Sequence, residues 1–427
     1  MLRLPRRSKL AAVAAISGLV SALNLASYAG TNAPAKPASD HDDTIRIGFV
    51  TSLTGVAHEA SEDMKNAIEL YMDQIHHKIA GKKVELIVEN DESNPAMAKV
   101  KVMKLINQDH CQILDGLILG HIGYAVAPVV EKEQVPMVFA IAAGDDVTQR
   151  TPCKWVVRSG WNSSQPAHPF GEYVYKTLGY KKVVCLGMDY PFGWEVVGGF
   201  QKSFEEAGGK VIQKIWAPLG FQDFTDYVKQ IDRNADALFI LTSNIAAGII
   251  PKELKAAGIK MPIIAGGTSY DESVLRHLGD EAIGVVSVAP YSAALNTPAN
   301  KRFVAAYKAK YGKAPSWFAE GAYTSGMVIA KAIESVKGDV SDKAKLLNAL
   351  KHVELKDAPR GPLKIDDYAN PVQNIYVRRV EKVNGELQNT VVHTFPAIGQ
   401  FWHWDAKEYL KQPVYTREFP PCKNCAK

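Results

Sequence analysis

Apolar and polar positions along this chain follow two alternating rhythms. TIRIGFV (44–50) is apolar and β-branched, the composition of a strand covered on both faces. The stretch 58–79 sets Met64, Ile68, Tyr71, Ile75 and Ile79 at three-to-four spacing with charges opposite, which predicts an amphipathic helix. KVELIVEN (83–90) predicts a strand, and PAMAKVKVMKLINQ (95–108) a helix with Pro95 in its first turn. ILDGLILG (113–120), a helix over 124–134 and PMVFA (136–140) complete the series. The rhythm then restarts, with helices at 164–178, 193–207, 223–233 and 246–257. Between and after them come strands at 181–188, 210–216, 237–243, 262–267 and 284–290. Residues 298–351 read as helical, and β-like segments return only at 375–383 and 389–395.

Strand–helix alternation of this kind implies parallel sheets covered on both faces. Two such series in tandem imply two lobes with a cleft between them. The expected fold class is therefore α/β, with two doubly wound parallel-sheet lobes. Ligands of open parallel sheets sit beyond the carboxyl ends of the strands, so the chemistry is sought in loops 51–55, 120–124, 140–144, 188–194, 242–244 and 266–271. Those loops are rich in glycine, small hydroxyls and aromatics. The chain has no GxSxG elbow, no HExxH and neither of the usual phosphate loops. Loops of this kind bind rather than react, so neither an enzyme nor a cofactor is expected.

The N-terminus adds a destination. MLRLPRRSK carries Arg3, Arg6, Arg7 and Lys9 ahead of LAAVAAISGLVSAL (10–23) and a small-residue site at Ser27-Tyr28-Ala29. That is the three-region pattern of a secretory signal peptide. Residues 1–29 are read as that signal, and 30–43, rich in Pro, Ala and Asp, as a disordered lead-in. No later segment reaches the roughly 18 apolar residues that span a bilayer, so stable membrane insertion is not expected. Removal of the four basic residues takes the formal charge from +5 to +1, which leaves no basic patch for nucleic acid. Among five cysteines, Cys185 falls in the apolar strand KKVVCLG and reads as a buried thiol. In an oxidising compartment the terminal CKNC either closes on itself through Cys422 and Cys425, or one of that pair ties the C-terminus to Cys111 or Cys153.

The ordered segments together resemble the type I periplasmic solute-binding proteins of the leucine/isoleucine/valine-binding branch, which serve ABC importers. IRIGFVTSLTG (45–55) is similar to the family's opening strand and turn, and VENDESNPAMA (88–98) to its acidic strand end before a Pro-started helix. APVVEKEQVPMVFAIAAGDDVT (127–148), VVRSGWNSSQ (156–165), MDYPFG (188–193), GAYTSGMVIAKAIE (321–334) and RGPLKID (360–366) follow in the family's order. The resemblance implies a three-segment hinge between lobe 1 (44–160 plus 291–359) and lobe 2 (161–290 plus 360–400). Residues 401–427 are then a C-terminal extension.

The resemblance also implies where a ligand carboxylate is held. Here those positions are His121, Ile122, Gly123 and Tyr124, and Ile141, Ala142, Ala143 and Gly144. Phe192 matches the stacking aromatic of lobe 2. Thr242, Asn244, Gly267 and Thr268 stand at facing strand ends, the last two where the family's amino-acid binders set an acid against the ligand's ammonium. Neither carboxylate loop carries a Ser or Thr, and that acid is missing. A small organic acid, aromatic or branched, is therefore expected over a free amino acid. The implied partners are that ligand and an inner-membrane ABC permease, with the chain a periplasmic monomer. The alternatives are a receptor feeding a sensor kinase and an exported α/β enzyme.

Overall fold

The computed structural model describes residues 43–242 and 246–425. The signal peptide expected over 1–29, the lead-in up to residue 42, and Asn244 lie outside the described residues. The first series of elements is β1 (Ile45–Thr51), α1 (His58–Gln74), β2 (Lys78–Ile79), β3 (Lys82–Asn90), α2 (Pro95–Asn107), β4 (Ile113–Gly116), α3 (Gly120–Glu133), β5 (Met137–Phe139) and β6 (Val156–Arg158). The second is α4 (Ala167–Lys176), β7 (Lys182–Met188), α5 (Pro191–Glu206), β8 (Lys210–Ala217), α6 (Thr225–Lys229), β9 (Ala237–Leu241), α7 (Ala246–Ala256), β10 (Ile263–Gly266), α8 (Glu272–Leu275) and β11 (Val286–Ala289). The chain ends with α9 (Pro298–Tyr311), α10 (Trp317–Ser335), α11 (Lys343–Lys351), β12 (Glu354–Leu355), β13 (Leu363–Ile365), β14 (Pro371–Val383), β15 (Glu386–Ile398) and α12 (Ala406–Leu410).

The first sheet has the order β2-β3-β1-β4-β5-β6 and is parallel apart from the short β2. The second is parallel across β8, β7, β9, β10 and β11, but β14 joins it antiparallel and carries β13 and β15 on with it. This departs from the all-parallel expectation, and at the β14–β15 turn the cause is local. Asn384 and Gly385 link β14 to β15 with φ of 53° and 87°. A tight two-residue hairpin needs two positive φ values, which Asn-Gly tolerates best.

Apolar strands bury both faces. Along β7, Val183 and Cys185 pack into the core that unites the two sheets, while Val184 and Leu186 pack into a second core with Val228, Ile240 and Ile250. Side-chain caps set several helix starts: Asn94 accepts from Ala96 N ahead of α2, and Ser316 accepts from Ala319 N ahead of α10. The helix expected over 124–134 begins earlier, at Gly120, so His121 to Tyr124 belong to its first turn rather than to a loop.

The chain passes between the sheets three times: after β6, after β11, and from α11 through β12 and β13 into β14. Helix α10 packs back on the first sheet, where Ser325 reaches Asp115 of β4 at 2.6 Å. Buried Arg360 gathers the passes together. Its Nη1 donates to Ser159 O at 3.1 Å and Gly160 O at 3.2 Å, and its Nη2 pairs with Glu320 of α10 at 2.7 Å. In the C-terminal extension, Phe401, Tyr409 and Tyr415 form a small core, and both tyrosines pack on buried His168 of α4. Cys422 and Cys425 are joined, so the CKNC pair closes on itself, and Cys111, Cys153 and Cys185 are thiols. Among the described residues, no helix is long and apolar enough to cross a membrane.

Candidate ligand-binding site

The carboxyl ends of both sheets converge on one cavity of about 80 Å³. Its first wall includes Ala57 and Ala60, Leu119 and Gly120 at the start of α3, and Ile141 and Ala143 after β5. The facing wall comes from strand ends of the second sheet: Tyr190 and Phe192 after β7, Thr242 after β9 and Thr268 after β10. Trp161, from the first pass, and Phe318 of α10 complete the enclosure. An enclosed, mostly apolar space with a few polar groups is the usual form of a small-molecule site.

Ile141, Ala143, Phe192, Thr242 and Thr268, all expected site residues, line this cavity. Other residues of the expected set stand behind it. Ile122 is fully buried in the core, and the N–H groups of Ile122 and Gly123 both donate to Leu119 O, at 3.0 and 3.1 Å. The Tyr124 hydroxyl, expected to serve the ligand, donates instead to Glu195 Oε1 at 2.6 Å and accepts from Asp146 N at 3.0 Å. Gly144 makes room for that ring, since a Cβ there would lie 2.5 Å from Tyr124 Cε2. His121 meets Tyr190 edge-on at 5.8 Å. Ala142 N donates to Leu117 O, and Gly267 lies against Val288 and Ala289.

One available donor lies slightly earlier than expected because the helix does, and the other falls within the expected loop. Gly120 and Ala143 line the cavity, and among the described residues neither N–H has a protein acceptor. Gly120 opens α3, where unpaired N–H groups and the helix dipole favour an anion. Arg158 shapes the neighbouring loop from behind. Fully buried, it donates to the carbonyls of Ala142 and Gly144 and, at 3.0 Å, to Thr148 Oγ1. Burial pulls its pKa down to about 10, so the guanidinium stays charged at neutral pH. The indole of Trp161 donates to Ile141 O at 2.9 Å, which leaves the ring as apolar wall. It packs on Phe192 at 5.8 Å and on Trp317 at 5.4 Å.

Two polar side chains break the apolar lining. Thr242 Oγ1 and Thr268 Oγ1 are both shielded from solvent and lack a partner among the described residues. Leaving a buried hydroxyl unpaired costs about 1–3 kcal/mol, a cost that a ligand atom would relieve. None of the described residues lining the cavity is acidic. Around its rim the walls touch: Arg276, beyond α8, pairs with Asp63 of α1 at 2.7 Å, and His277 approaches Glu59 at 2.8 Å. Burial pushes the Asp63 carboxyl up, but Arg276 and Lys313 outweigh it and leave the pKa below the ordinary value. Behind the first wall, burial and the charge of Asp145 raise Glu195 well above the usual carboxylate range, which favours its neutral form beside Tyr124.

Trp161 and Tyr190 are, with Gly120 and Phe318, among the site residues that pattern reading passed over. Trp161 reads from sequence as hinge packing, yet it both packs there and walls the cavity. Tyr190 carried a signal in its place within MDYPFG, at a strand end.

Comparison with known proteins agrees with this architecture. The family described as "Periplasmic binding protein" matches residues 44–386. The chain is 30% identical over 369 residues to "Leu/Ile/Val-binding protein homolog 6" of Brucella abortus (strain 2308), a match spanning 84% of this chain and 93% of that one. Among solved structures it is similar to an ABC-transporter solute-binding protein of Rhodopseudomonas palustris BisB5 in complex with 3,4-dihydroxybenzoic acid, with TM-score 0.79, 32% identity and coverage of 84% and 99%. Another, from Rhodopseudomonas palustris HaA2 in complex with p-hydroxybenzoic acid, gives TM-score 0.78, 29% identity and coverage of 84% and 98%. The chain belongs to the periplasmic binding protein family, in its Leu/Ile/Val-binding branch, and is a solute-binding protein of the ABC-transporter type.

Proposed function

We propose that this chain is exported behind the signal at 1–29, captures a small aromatic carboxylate between its lobes as a monomer, and delivers it to an inner-membrane ABC permease. The observation that carries the ligand class is the cavity wall: aromatic and apolar, with unpaired N–H groups at Gly120 and Ala143 and no acidic lining among the described residues. The carboxylate meets those N–H groups, and the ring lies against Phe192 and Trp161. Ile141, Ala143, Phe192, Thr242 and Thr268 make contact, while Arg158 and Tyr124 hold the wall from behind. The relatives bound to hydroxylated benzoic acids support the same class.

A second reading, a branched-chain amino acid, is favoured by the name of the Brucella relative. It has to leave an ammonium in a cavity without a counter-charge, which costs several kcal/mol. A thermal-shift and calorimetric comparison of benzoate-type acids with leucine separates the two. Ligand at a hundred times Kd stabilises by about 2.7 kcal/mol, a shift expected with the aromatic acids. Micromolar leucine binding with no response to any aromatic acid would reverse the assignment.

A further inference from the structure

The cavity has two polar ends of different kinds. On the first-sheet side the donors are backbone N–H groups at Gly120 and Ala143. On the second-sheet side Thr242 Oγ1 and Thr268 Oγ1 are both buried and, among the described residues, unpaired. Thr242 is held at its backbone, where its N–H donates to Ser269 Oγ at 3.0 Å. A hydroxyl both donates and accepts, so this pair suits a neutral group that does the same. An ammonium would find no counter-charge there, and a second carboxylate no cation among the described lining residues.

We propose that Thr242 and Thr268 read a hydroxyl carried on the ring edge away from the carboxylate, and so select hydroxylated aromatic acids over unsubstituted ones. This rests on the aromatic-carboxylate reading above. A bare ring edge would displace water from both threonines and leave both unpaired, and a site built to hydrogen-bond a hydroxyl discriminates strongly against the analogue without one.

Calorimetry on the full chain with benzoate and 4-hydroxybenzoate, repeated on Thr242→Val and Thr268→Val, tests it. Valine keeps the shape and removes the hydroxyl. The wild-type chain should bind 4-hydroxybenzoate at least about ten-fold more tightly than benzoate. Each variant should close most of that gap, weakening 4-hydroxybenzoate and tightening benzoate, which no longer leaves that threonine hydroxyl unpaired, with thermal midpoints reporting the fold. Equal wild-type affinities for the two acids overturn the proposal, as do valine variants that weaken both acids alike. Failure of every aromatic acid to bind, with leucine bound instead, overturns the ligand class and this selection with it.

Discussion

The two walls of the cavity use different parts of the chain. The first sheet presents backbone and small residues, Gly120, Ile141 and Ala143, whereas the second presents side chains, Tyr190, Phe192, Thr242 and Thr268. A wall made of backbone is insensitive to most changes at its own positions. It depends instead on whatever holds the loop from behind, here the carbonyl clamp of Arg158 and the indole of Trp161. A wall made of side chains can be rewritten one residue at a time. On the proposed reading, the second wall would set specificity and the first would seat the anion.

That contrast breaks most completely at Arg158. Arg158→Ala leaves the buried Ala142 carbonyl without a donor and Gly144 O with Val147 N alone at 3.3 Å, and an unpaired buried group costs about 1–3 kcal/mol. Chemical denaturation should show a loss of roughly 2–4 kcal/mol from the unpaired carbonyl and the vacated volume, together with lost ligand binding. A variant with unchanged midpoint and affinity would show that the first wall needs no clamp.

The walls also differ in their buried acids. Asp115 of β4 has no cation in contact, and burial raises its pKa to about 7. Glu272 of α8, raised by burial to about 7, has Arg378 at 3.9 Å. Because the folded pKa of Asp115 exceeds the unfolded one, the folded state holds an extra proton between about pH 4 and pH 7. Its stabilising contribution is therefore complete below pH 4 and is lost as pH rises through 7. Ser325 Oγ lies 2.6 Å from Asp115 Oδ2 and 2.8 Å from Ala322 O, so a protonated Asp115, or an amide, can donate to it. Asp115→Asn should be near neutral at about pH 4 and stabilise by on the order of 2–4 kcal/mol at about pH 8. Denaturant titrations at the two pH values check this, and an equal effect at both would contradict it.

On the side-chain wall, Phe192→Ala should weaken aromatic-acid binding by about 1–3 kcal/mol, measured by calorimetry. Retained affinity would move the stacking surface to Trp161. The smallest effect is expected where the walls merely touch. Arg276→Ala removes the contact with Asp63, which keeps Lys313 at 2.7 Å and the Tyr307 hydroxyl at 3.1 Å. Affinity should fall by about 1 kcal/mol, and small-angle scattering should show a larger ligand-free radius. An unchanged radius would mean that the pair does not hold the lobes together.

Short-range signals carried much of the outcome. Strand and helix periodicity was legible because burial imposes a period of 2 or 3.6 on each segment separately. The placing of ligand loops at strand ends, Thr242 and Thr268 among them, followed from parallel topology, and the family resemblance singled out Ile141, Ala143 and Phe192 within those loops. Asn384-Gly385 also carried its hairpin in the sequence, although the antiparallel half of the second sheet was not expected from it. The start of α3 was misplaced because Gly120 and His121 look like loop, and the N–H groups of Ile122 and Gly123 named on that reading are engaged by Leu119 O in the helix's first turn.

Local pattern marked which segments are strands, which loops end them, and which residue types those loops offer. Tertiary structure alone decided which of those residues turn inward. Tyr124 is drawn back to Glu195, a partner 71 positions away, while Trp161 is turned to the cavity by a bond to Ile141. Arg158 and Arg360 become clamps only once distant carbonyls are gathered around them. The reason is physical: a residue's period reports its burial within its own element. Its hydrogen-bond partner is set by where another element arrives, and no local pattern carries that information.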